Sequence, residues 1–337
     1  MIHIVIPQSH RLATSPDGEK RPRRLSFYLA MEEFVAKSLR GLDECFFAWQ
    51  VEPTVIFGRN QLIENEVNID FCKKRGIDMI RRKSGGGCVY ADMNNVMFSY
   101  VNSGDRVVFT FEHYIDITVK MLRSLGVDAQ SSSRNDIMIE GHKVSGNAFY
   151  HTSGRNIVHG TMLYDTNMEN TVSAITPSNE KLVSKGIESV RQHICLLKDY
   201  IGNKMSVDQF RDYACNYMCD SQYVLTSGDI ADIEEIQKSY HDENYILGHN
   251  PEYKLAFHKR RDKVGEFYVS MDLKNDVIRR INMMGDFFVT GDLNELLDRL
   301  RGARRRPQDL GEALGGVDVS QIVMGLTNDA FVDLLTQ

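Results

Sequence analysis

The sequence predicts an α+β protein of two domains, and three observations carry that prediction. Apolar residues recur at helical spacing in some stretches and at alternate positions in others, without the regular strand–helix–strand alternation of a doubly wound sheet. The 337 residues exceed the usual span of one domain. After about Tyr240 the texture changes to a hairpin followed by amphipathic helices, and the last ~90 residues suffice for a small separate domain. Gly and Pro punctuate the chain at Leu247-Gly248-His249-Asn250-Pro251, which sets the domains at 1–246 and 247–337.

The elements follow in order. Tyr28, Met31, Phe34, Val35 and Leu39 share one helical face. Phe46, Phe47 and Trp49, then Thr54 to Phe57, read as short strands around Pro53. Ile69 to Arg75 is a short helix closed by Gly76, and Ile77 to Arg81 is a strand. Ser84-Gly85-Gly86-Gly87 is a loop by composition. Cys88 to Tyr90 and Val96 to Val101 flank a turn at Met93-Asn94-Asn95. A helix runs from Phe111 to Leu125, with Ile115, Val119 and Leu122 in register, and Gly126 stops it. Ile137-Met138-Ile139 and Lys143-Val144 flank Glu140-Gly141-His142 as a hairpin. Val158 to Leu163 has a strand pattern. In the C-terminal part Phe267, Val269, Met271 and Leu273 alternate, Lys274-Asn275-Asp276 turns, and Val277 to Met283 returns. Asp292 caps a helix with Glu295 at its third position, and Leu293, Leu296, Leu297 and Leu300 form its apolar stripe.

Composition narrows the function classes. A hydrophobic fraction of 42% with 26% charged residues is ordinary for a folded protein, and a net charge of -6 argues against a partner that attracts mainly through phosphate backbone. No apolar run approaches the ~18 residues of a spanning helix, and the N-terminal Met1-Ile-His-Ile-Val-Ile-Pro lacks the length and cleavage site of a signal peptide. The chain therefore reads as cytoplasmic, with neither nucleic acid nor membrane as partner. Of the cysteines Cys45, Cys72, Cys88, Cys195, Cys215 and Cys219, none forms a Cys-x-x-Cys pair. Cys215 and Cys219 fall on one helical face, and all read as reduced, packed thiols.

Two segments carry candidate chemistry. In Arg81-Arg82-Lys83-Ser84-Gly85-Gly86-Gly87, three consecutive glycines cost backbone entropy, and three cations precede them. Such a loop can cradle a carboxylate or phosphate with its N–H groups. It can equally be a flexible turn with solvated flanks. It is neither a P-loop nor a dinucleotide fingerprint, because no Gly-Lys-Ser/Thr and no helix follow it. The second segment is Asn135-Asp136-Ile137 with Lys143-Val144-Ser145-Gly146-Asn147. A lysine at the start of a strand and aimed into a cleft can bridge two anions, such as a carboxylate and the α-phosphate it attacks. Asn135 and Asp136 offer oxygens to Mg²⁺. The plainer reading is a surface lysine beside a hairpin turn. In Val158-His159-Gly160-Thr161, the Thr161 hydroxyl can meet a ligand, or His159 and Thr161 can serve the fold.

Together these segments resemble the lipoate–protein ligase A family. The resembling run begins at Leu29-Ala30-Met31-Glu32-Glu33 and continues through Trp49-Gln50, Gly58-Arg59-Asn60-Gln61, Arg82 to Tyr90 and Asp92 to Asn95. It goes on through Arg134-Asn135-Asp136, Lys143 to Gly146 and His159-Gly160-Thr161 to Ser184-Lys185-Gly186-Ile187-Glu188-Ser189-Val190-Arg191. It covers most of residues 25–200, and Gly285-Asp286-Phe287-Phe288 with the following helices resembles the family's accessory domain. The resemblance implies a biotin/lipoate protein ligase-like catalytic domain of mixed sheets and flanking helices, plus a small α+β accessory domain. It implies that lipoic acid and Mg-ATP give lipoyl-adenylate, from which an acceptor lysine takes the lipoyl group. The implied acceptors are lipoyl domains of 2-oxoacid dehydrogenase E2 subunits and the glycine-cleavage H protein; octanoate is a possible competitor for lipoate.

Carried over by position, Lys143 is the catalytic lysine at the carboxylate and α-phosphate. Glu32, Trp49, Arg82, Ser84, Gly85, Gly86 and Gly87 lie on the lipoyl side. Gly87, Val89, Tyr90, Asn95, Asn135, Asp136, Lys143 and Thr161 lie near the adenylate, with Asn135 and Asp136 as candidate Mg²⁺ ligands. This chain departs from the family in three places. Ala91 stands where His is common, so contacts at that turn are expected to be mainly backbone. Val158 replaces a His, and Tyr245 stands near a position that often carries Trp.

Two rivals remain. An ATP-independent octanoyl or lipoyl transferase of the same superfamily would use a cysteine, and Cys88 is the cysteine in a motif. A non-enzymatic binding module would use Arg304-Arg305-Arg306 and His258 to Arg261, runs that are more often solvated faces.

Overall fold

The computed structural model describes residues 1–14, 18–104, 107–132, 135–175, 193–247 and 255–336. Arg134, the Ser184–Arg191 motif and the Gly248–Pro251 stretch lie outside the described residues. The chain forms two compact units. The larger comprises Met1–Phe57, Ile63–Arg82 and Cys88–Ile246; the smaller comprises Gly58–Leu62, Lys83–Gly87 and Leu247–Gln337. The smaller unit therefore takes in two short stretches of the N-terminal half, one of them the triglycine loop.

Among the described residues, thirteen strands belong to the larger unit. They are β1 (Ile2–Val5), β2 (Leu12–Thr14), β3 (Lys20–Pro22), β4 (Glu44–Trp49), β5 (Thr54–Phe57), β6 (Asp78–Arg81), β7 (Val89–Ala91), β8 (Val96–Asn102), β9 (Ala129–Ser131), β10 (Asp136–Ile139), β11 (His142–Thr152), β12 (Arg155–Met162) and β13 (Ser221–Val224). Eight of them form one sheet in the order β13-β1-β4-β8-β12-β11-β10-β9. Its β13, β1 and β4 run parallel and the remaining neighbours antiparallel, so the sheet is mixed. A second sheet, β6-β5-β7, is also mixed, and β2 and β3 pair as a hairpin.

Helices flank the main sheet on both faces. The helix Leu25–Ser38 buries residues almost all round, as a helix enclosed by protein must. It packs its Phe34, Val35 and Met31 into one cluster with Phe47, Trp49, Val101 and Ile157. On the opposite face Phe46, Phe98 and Phe210 meet in sequence as tilted ring pairs, which seats the helix Val207–Met218. Phe111 of the helix Val107–Ser124 meets Phe149 on the same face.

Several expectations need adjustment. The Val107–Ser124 helix begins a turn before Phe111. The helices Val207–Met218 and Ser227–Gln237 were not anticipated, although Ser206-x-x-Gln209 and Thr226-x-x-Asp229 form capping boxes at their starts. Cys219 is not on a helical face with Cys215: the helix ends at Met218 and Cys219 is extended. All the cysteines are free thiols.

In the smaller unit β14 (Leu255–Arg261), β15 (Gly265–Lys274) and β16 (Val277–Gly285) form an antiparallel sheet. The sequence read His258 to Arg261 as a charge run, and it is instead part of an edge strand. Its side chains alternate between faces, so Phe257 joins the core while His258 stacks on Tyr268 at 4.4 Å. The Arg304–Arg306 run is likewise engaged: Arg305 donates to the Leu335 and Thr336 carbonyls. The Asp292 side chain accepts from the Glu295 N–H at 3.0 Å, and Leu296, Leu297 and Leu300 of the capped stretch are buried. No described helix is long and apolar enough to cross a membrane.

Candidate active site

The site begins with strand register. Trp49 on β4 pairs with Met97 on β8, Met97 with Thr161 on β12, Thr161 with Gly146 on β11, and Gly146 with Asp136 on β10. Directly paired residues share a face, so this row carries Trp49, Thr161 and Asp136 across five strands on one side. The adjacent row on that face is Phe47, Ser99, His159 and Ala148. Residues separated by more than 80 positions in sequence are brought into line by pairing alone.

Lys143 enters this face through an irregularity. Ile137 pairs with Ser145 but Met138 with Lys143, so the ladder slips between them. The lysine Nζ lies 2.7 Å from Asp136 Oδ1. Its path crosses Gly146, where an added Cβ would lie 2.7 Å from both Lys143 Cε and Nζ. The Lys143 main chain is held on its other edge, donating to the His193 carbonyl and accepting from the Cys195 N–H, each at 2.9 Å. The Lys143 side chain is about one-third exposed, so solvent reaches it. A cavity of about 640 Å³ beside Asn135 and Asp136 is lined by Phe111, Glu112, Ile115, Asp116 and Arg123 of the helix Val107–Ser124 and by Gln130.

Glu32 is fully buried and fully engaged. Its carboxylate accepts from Ser99 Oγ at 2.6 Å and lies 3.0 Å from His159 Nδ1 at both oxygens. The Tyr150 hydroxyl is 3.5 Å away. Ser99 Oγ in turn accepts from the Trp49 indole N–H at 2.9 Å, and the Trp49 ring stacks on Tyr28 at 4.8 Å. A buried carboxylate must be paired and hydrogen-bonded, and here it fixes the indole through Ser99. Burial, with the Glu32 and Glu33 charges adding to it, pushes the Tyr150 hydroxyl well above its usual value, so it stays a donor. Ser99 and Tyr150 gave no signal in sequence, being single polar residues in strands. Val158 is fully buried on the opposite face from His159.

The remaining candidates are placed elsewhere. Arg82 follows β6, and its guanidinium donates to the Ile56 carbonyl at 3.1 Å. Burial lowers it to about 10, so it remains cationic at neutral pH. Val89 and Tyr90 lie on β7, paired with Ile56 and Val55. Burial raises the Tyr90 hydroxyl to about 12, and that hydroxyl accepts from Asn170 at 3.4 Å. Asn95 is fully buried and donates to the Tyr90 carbonyl. Asp92 holds the turn, accepting from the Asn94 N–H, the Thr166 hydroxyl and the Asn167 N–H, while Ala91 is buried.

Ser84 and the glycines belong to the smaller unit. The Ser84 carbonyl accepts from the Arg59 N–H at 2.9 Å. The glycines have different surroundings. A Cβ on Gly85 would lie 2.6 Å from the Phe287 carbonyl oxygen, Gly86 has φ of 87°, and Gly87 faces open space. Gly87 thus leaves room for a ligand at its own Cβ position, and Gly85 does not.

Burial also raises the Cys88 thiol well above its ordinary value. Glu66 adds to the rise, and Arg82 offsets only part of it. That is the reverse of what a thiolate nucleophile needs.

Comparison with known proteins decides the family. The lipoyl protein ligase A/B catalytic domain model matches residues 25–219, and the bacterial lipoate protein ligase C-terminus model matches 250–335. The chain belongs to the lipoate–protein ligase family. It is 32% identical to lipoate-protein ligase LplJ of Bacillus subtilis over 316 residues, covering 91% of this chain and 95% of that protein. Its fold matches the crystal structure of P. falciparum LipL1 in complex with lipoate, with a TM-score of 0.74, 18% identity and coverage of 100% and 98%. It also matches lipoate-protein ligase A bound with ATP, with a TM-score of 0.57, 24% identity and coverage of 66% and 94%. As a ligase-family chain, it has mixed sheets with flanking helices and a small C-terminal sheet, a fold matched over its whole length by the first of these neighbours.

Proposed function

We propose that the protein activates lipoic acid with Mg-ATP to lipoyl-adenylate and then transfers the lipoyl group to a lysine of an acceptor protein. The carrying observation is Lys143, whose ammonium crosses Gly146 to stand beside Asp136 in line with Thr161 and Trp49. In the first step a carboxylate oxygen of lipoate attacks the α-phosphorus and pyrophosphate leaves. The two anions repel, and one ammonium between them lowers that repulsion and stabilises charge on the α-phosphoryl oxygens, an effect often worth on the order of 10²–10³ in rate. In the second step a neutral acceptor amine attacks the acyl carbon, an amide forms and AMP leaves.

The other roles follow from position. Trp49, held by Ser99 and Tyr28, and the Glu32–His159 pair support the lipoyl end. Arg82 and Ser84 with Gly85, Gly86 and Gly87 serve the lipoyl chain and carboxylate, chiefly through backbone at Gly87. Val89, Tyr90, Asn95, Asn135, Asp136 and Thr161 serve the adenylate. Mg²⁺ fits Asn135 and Asp136 only as a shared ion. No cluster of three or more His, Cys, Asp or Glu side chains forms among the described residues. The two oxygens these residues supply suit an ion that keeps water and phosphate ligands; when bound it would draw charge from the phosphates. Acceptors are lipoyl domains of 2-oxoacid dehydrogenase E2 subunits and the glycine-cleavage H protein, and octanoate is a candidate alternative acid.

The transferase reading loses support at Cys88, whose thiol is pushed up rather than activated. Lipoate-dependent exchange of labelled pyrophosphate into ATP tests the first step. Exchange that needs lipoate and Mg²⁺ supports the ligase reading. Absence of exchange, with acyl transfer from an acylated carrier protein instead, overturns it.

A further inference from the structure

Gly146 and Asn147 are neighbours on β11 and so face opposite sides of the sheet. On one side Gly146 makes room for Lys143 to reach Asp136. On the other, Asn147 fills the space left by Gly160, where a Cβ would lie 1.9 Å from Asn147 Oδ1. Asn147 is 3% exposed, and its amide is used at both ends. Its Nδ2 donates to the Asn135 carbonyl at 2.9 Å, and its Oδ1 accepts from Ser145 Oγ at 3.3 Å. The Asn135 side chain returns the bond, its Nδ2 donating to the Asn147 carbonyl at 2.5 Å. The two asparagines therefore make a reciprocal clasp across the start of β10.

The clasp sits where the ladder needs it. The slip between Ile137 and Met138 leaves Val144 without a partner on β10, and a slipped ladder does not by itself hold the register of the residues before it. Asp136 is one of those residues, and its carboxylate is what holds the Lys143 ammonium. The clasp also commits the Asn135 amide N–H₂, leaving its Oδ1 as the atom Asn135 can offer.

We propose that Asn147 is a positioning residue for Lys143: through Asn135 it fixes the register that sets Asp136 against the ammonium, and it commits the Asn135 Nδ2 to the clasp. The inference rests on the reading of Lys143 as the lysine at the reacting carboxylate, and its test separates the two.

The variants are N147A, N147D, G160A and N147A/G160A. N147D keeps the shape and the Oδ1 acceptor but not the N–H₂ donor, so it carries the test if N147A fails to fold. Two readouts are needed. Competitive acetylation followed by peptide mass spectrometry gives the reactivity of Lys143 relative to the other lysines, with no substrate present. Lipoate-dependent pyrophosphate exchange gives kcat and KM.

The expected result in N147A and N147D is that Lys143 labels roughly three- to tenfold faster, the scale of one lost hydrogen bond in a charged network. The other lysines keep their rates, and exchange loses kcat by about tenfold while KM for lipoate stays within about twofold. G160A alone is the least stable variant, since its methyl meets Asn147. N147A/G160A regains thermal stability relative to G160A while Lys143 keeps the fast labelling, which a purely packing role would not produce. Wild-type labelling and kcat in a folded N147A or N147D overturns the proposal. Faster labelling in a protein whose wild type shows no lipoate-dependent exchange leaves the clasp intact and removes the ligase reading.

Discussion

At the scale of single residues, small side chains decide where the charged ones go. Lys143 reaches Asp136 because Gly146 leaves the path open. Gly146→Ala is expected to displace the ammonium and lower the rate of pyrophosphate exchange at least about tenfold, with little change in melting temperature, since no positive φ is involved. Glu32 carries a different burden. It is a fully buried carboxylate with Ser99 and His159 as partners, and Glu32→Ala removes the acceptor those two groups share. Urea unfolding should show a loss of about 3–5 kcal/mol. Lys143, Asp136, Trp49 and Glu32 were legible because they sit in motifs whose order is specific. Ser99 and Asn147 were not. Their roles come from register across strands, and a serine in a strand looks the same whether it bonds water or an indole. Three glycines in a row read as one feature, yet Gly85 packs against the Phe287 carbonyl while Gly87 faces open space.

At the scale of elements, the sequence resolved hairpins better than terminal strands. The hairpin that carries Lys143 turns on Glu140 and Gly141, both left-handed with φ of 50° and 81°. That geometry suits Asn-Gly, so Glu140→Asn should raise stability by part of the roughly 1–2 kcal/mol that an ordinary L-residue loses there. Equilibrium urea unfolding checks the sign. The helix Ile69–Arg75 was read to its ends because Gly76 closes it in the left-handed region. The edge strand β14 was missed because its exposed face is so basic that His258 to Arg261 reads as a charge run. Alternation was present, and Phe257 joining the core shows it.

At the scale of the whole molecule, burial of many acidic hydroxyls and thiols sets an alkaline limit. Burial raises Cys72 and Cys215 to about 11 and Tyr28 and Tyr90 to about 12. These groups stay protonated in the folded chain after the unfolded chain has begun to release protons, near its thiol and phenol values of about 9 and 10. Their contribution to stability is therefore full below about pH 9 and is lost as pH rises through 11–12. Melting temperature should fall steadily from about pH 9 upward, and a flat profile between pH 9 and 11 would contradict these placements.

Whole-molecule organisation was legible in outline, as an α+β catalytic part followed by a smaller sheet with helices. That Lys83–Gly87 clusters with the C-terminal residues was not, because the close approach of Gly85 to Phe287 joins segments some 200 positions apart.

The central claim is that this chain adds lipoate to an acceptor lysine at the expense of ATP, using Lys143. The direct measurement is the intact mass of an apo lipoyl domain after incubation with lipoate, Mg-ATP and either the wild-type protein or Lys143→Ala. The account predicts one lipoyl group added by the wild type, none without ATP, and at least about a hundredfold less with the variant. Lipoyl addition that proceeds without ATP, or that Lys143→Ala leaves unchanged, would contradict it.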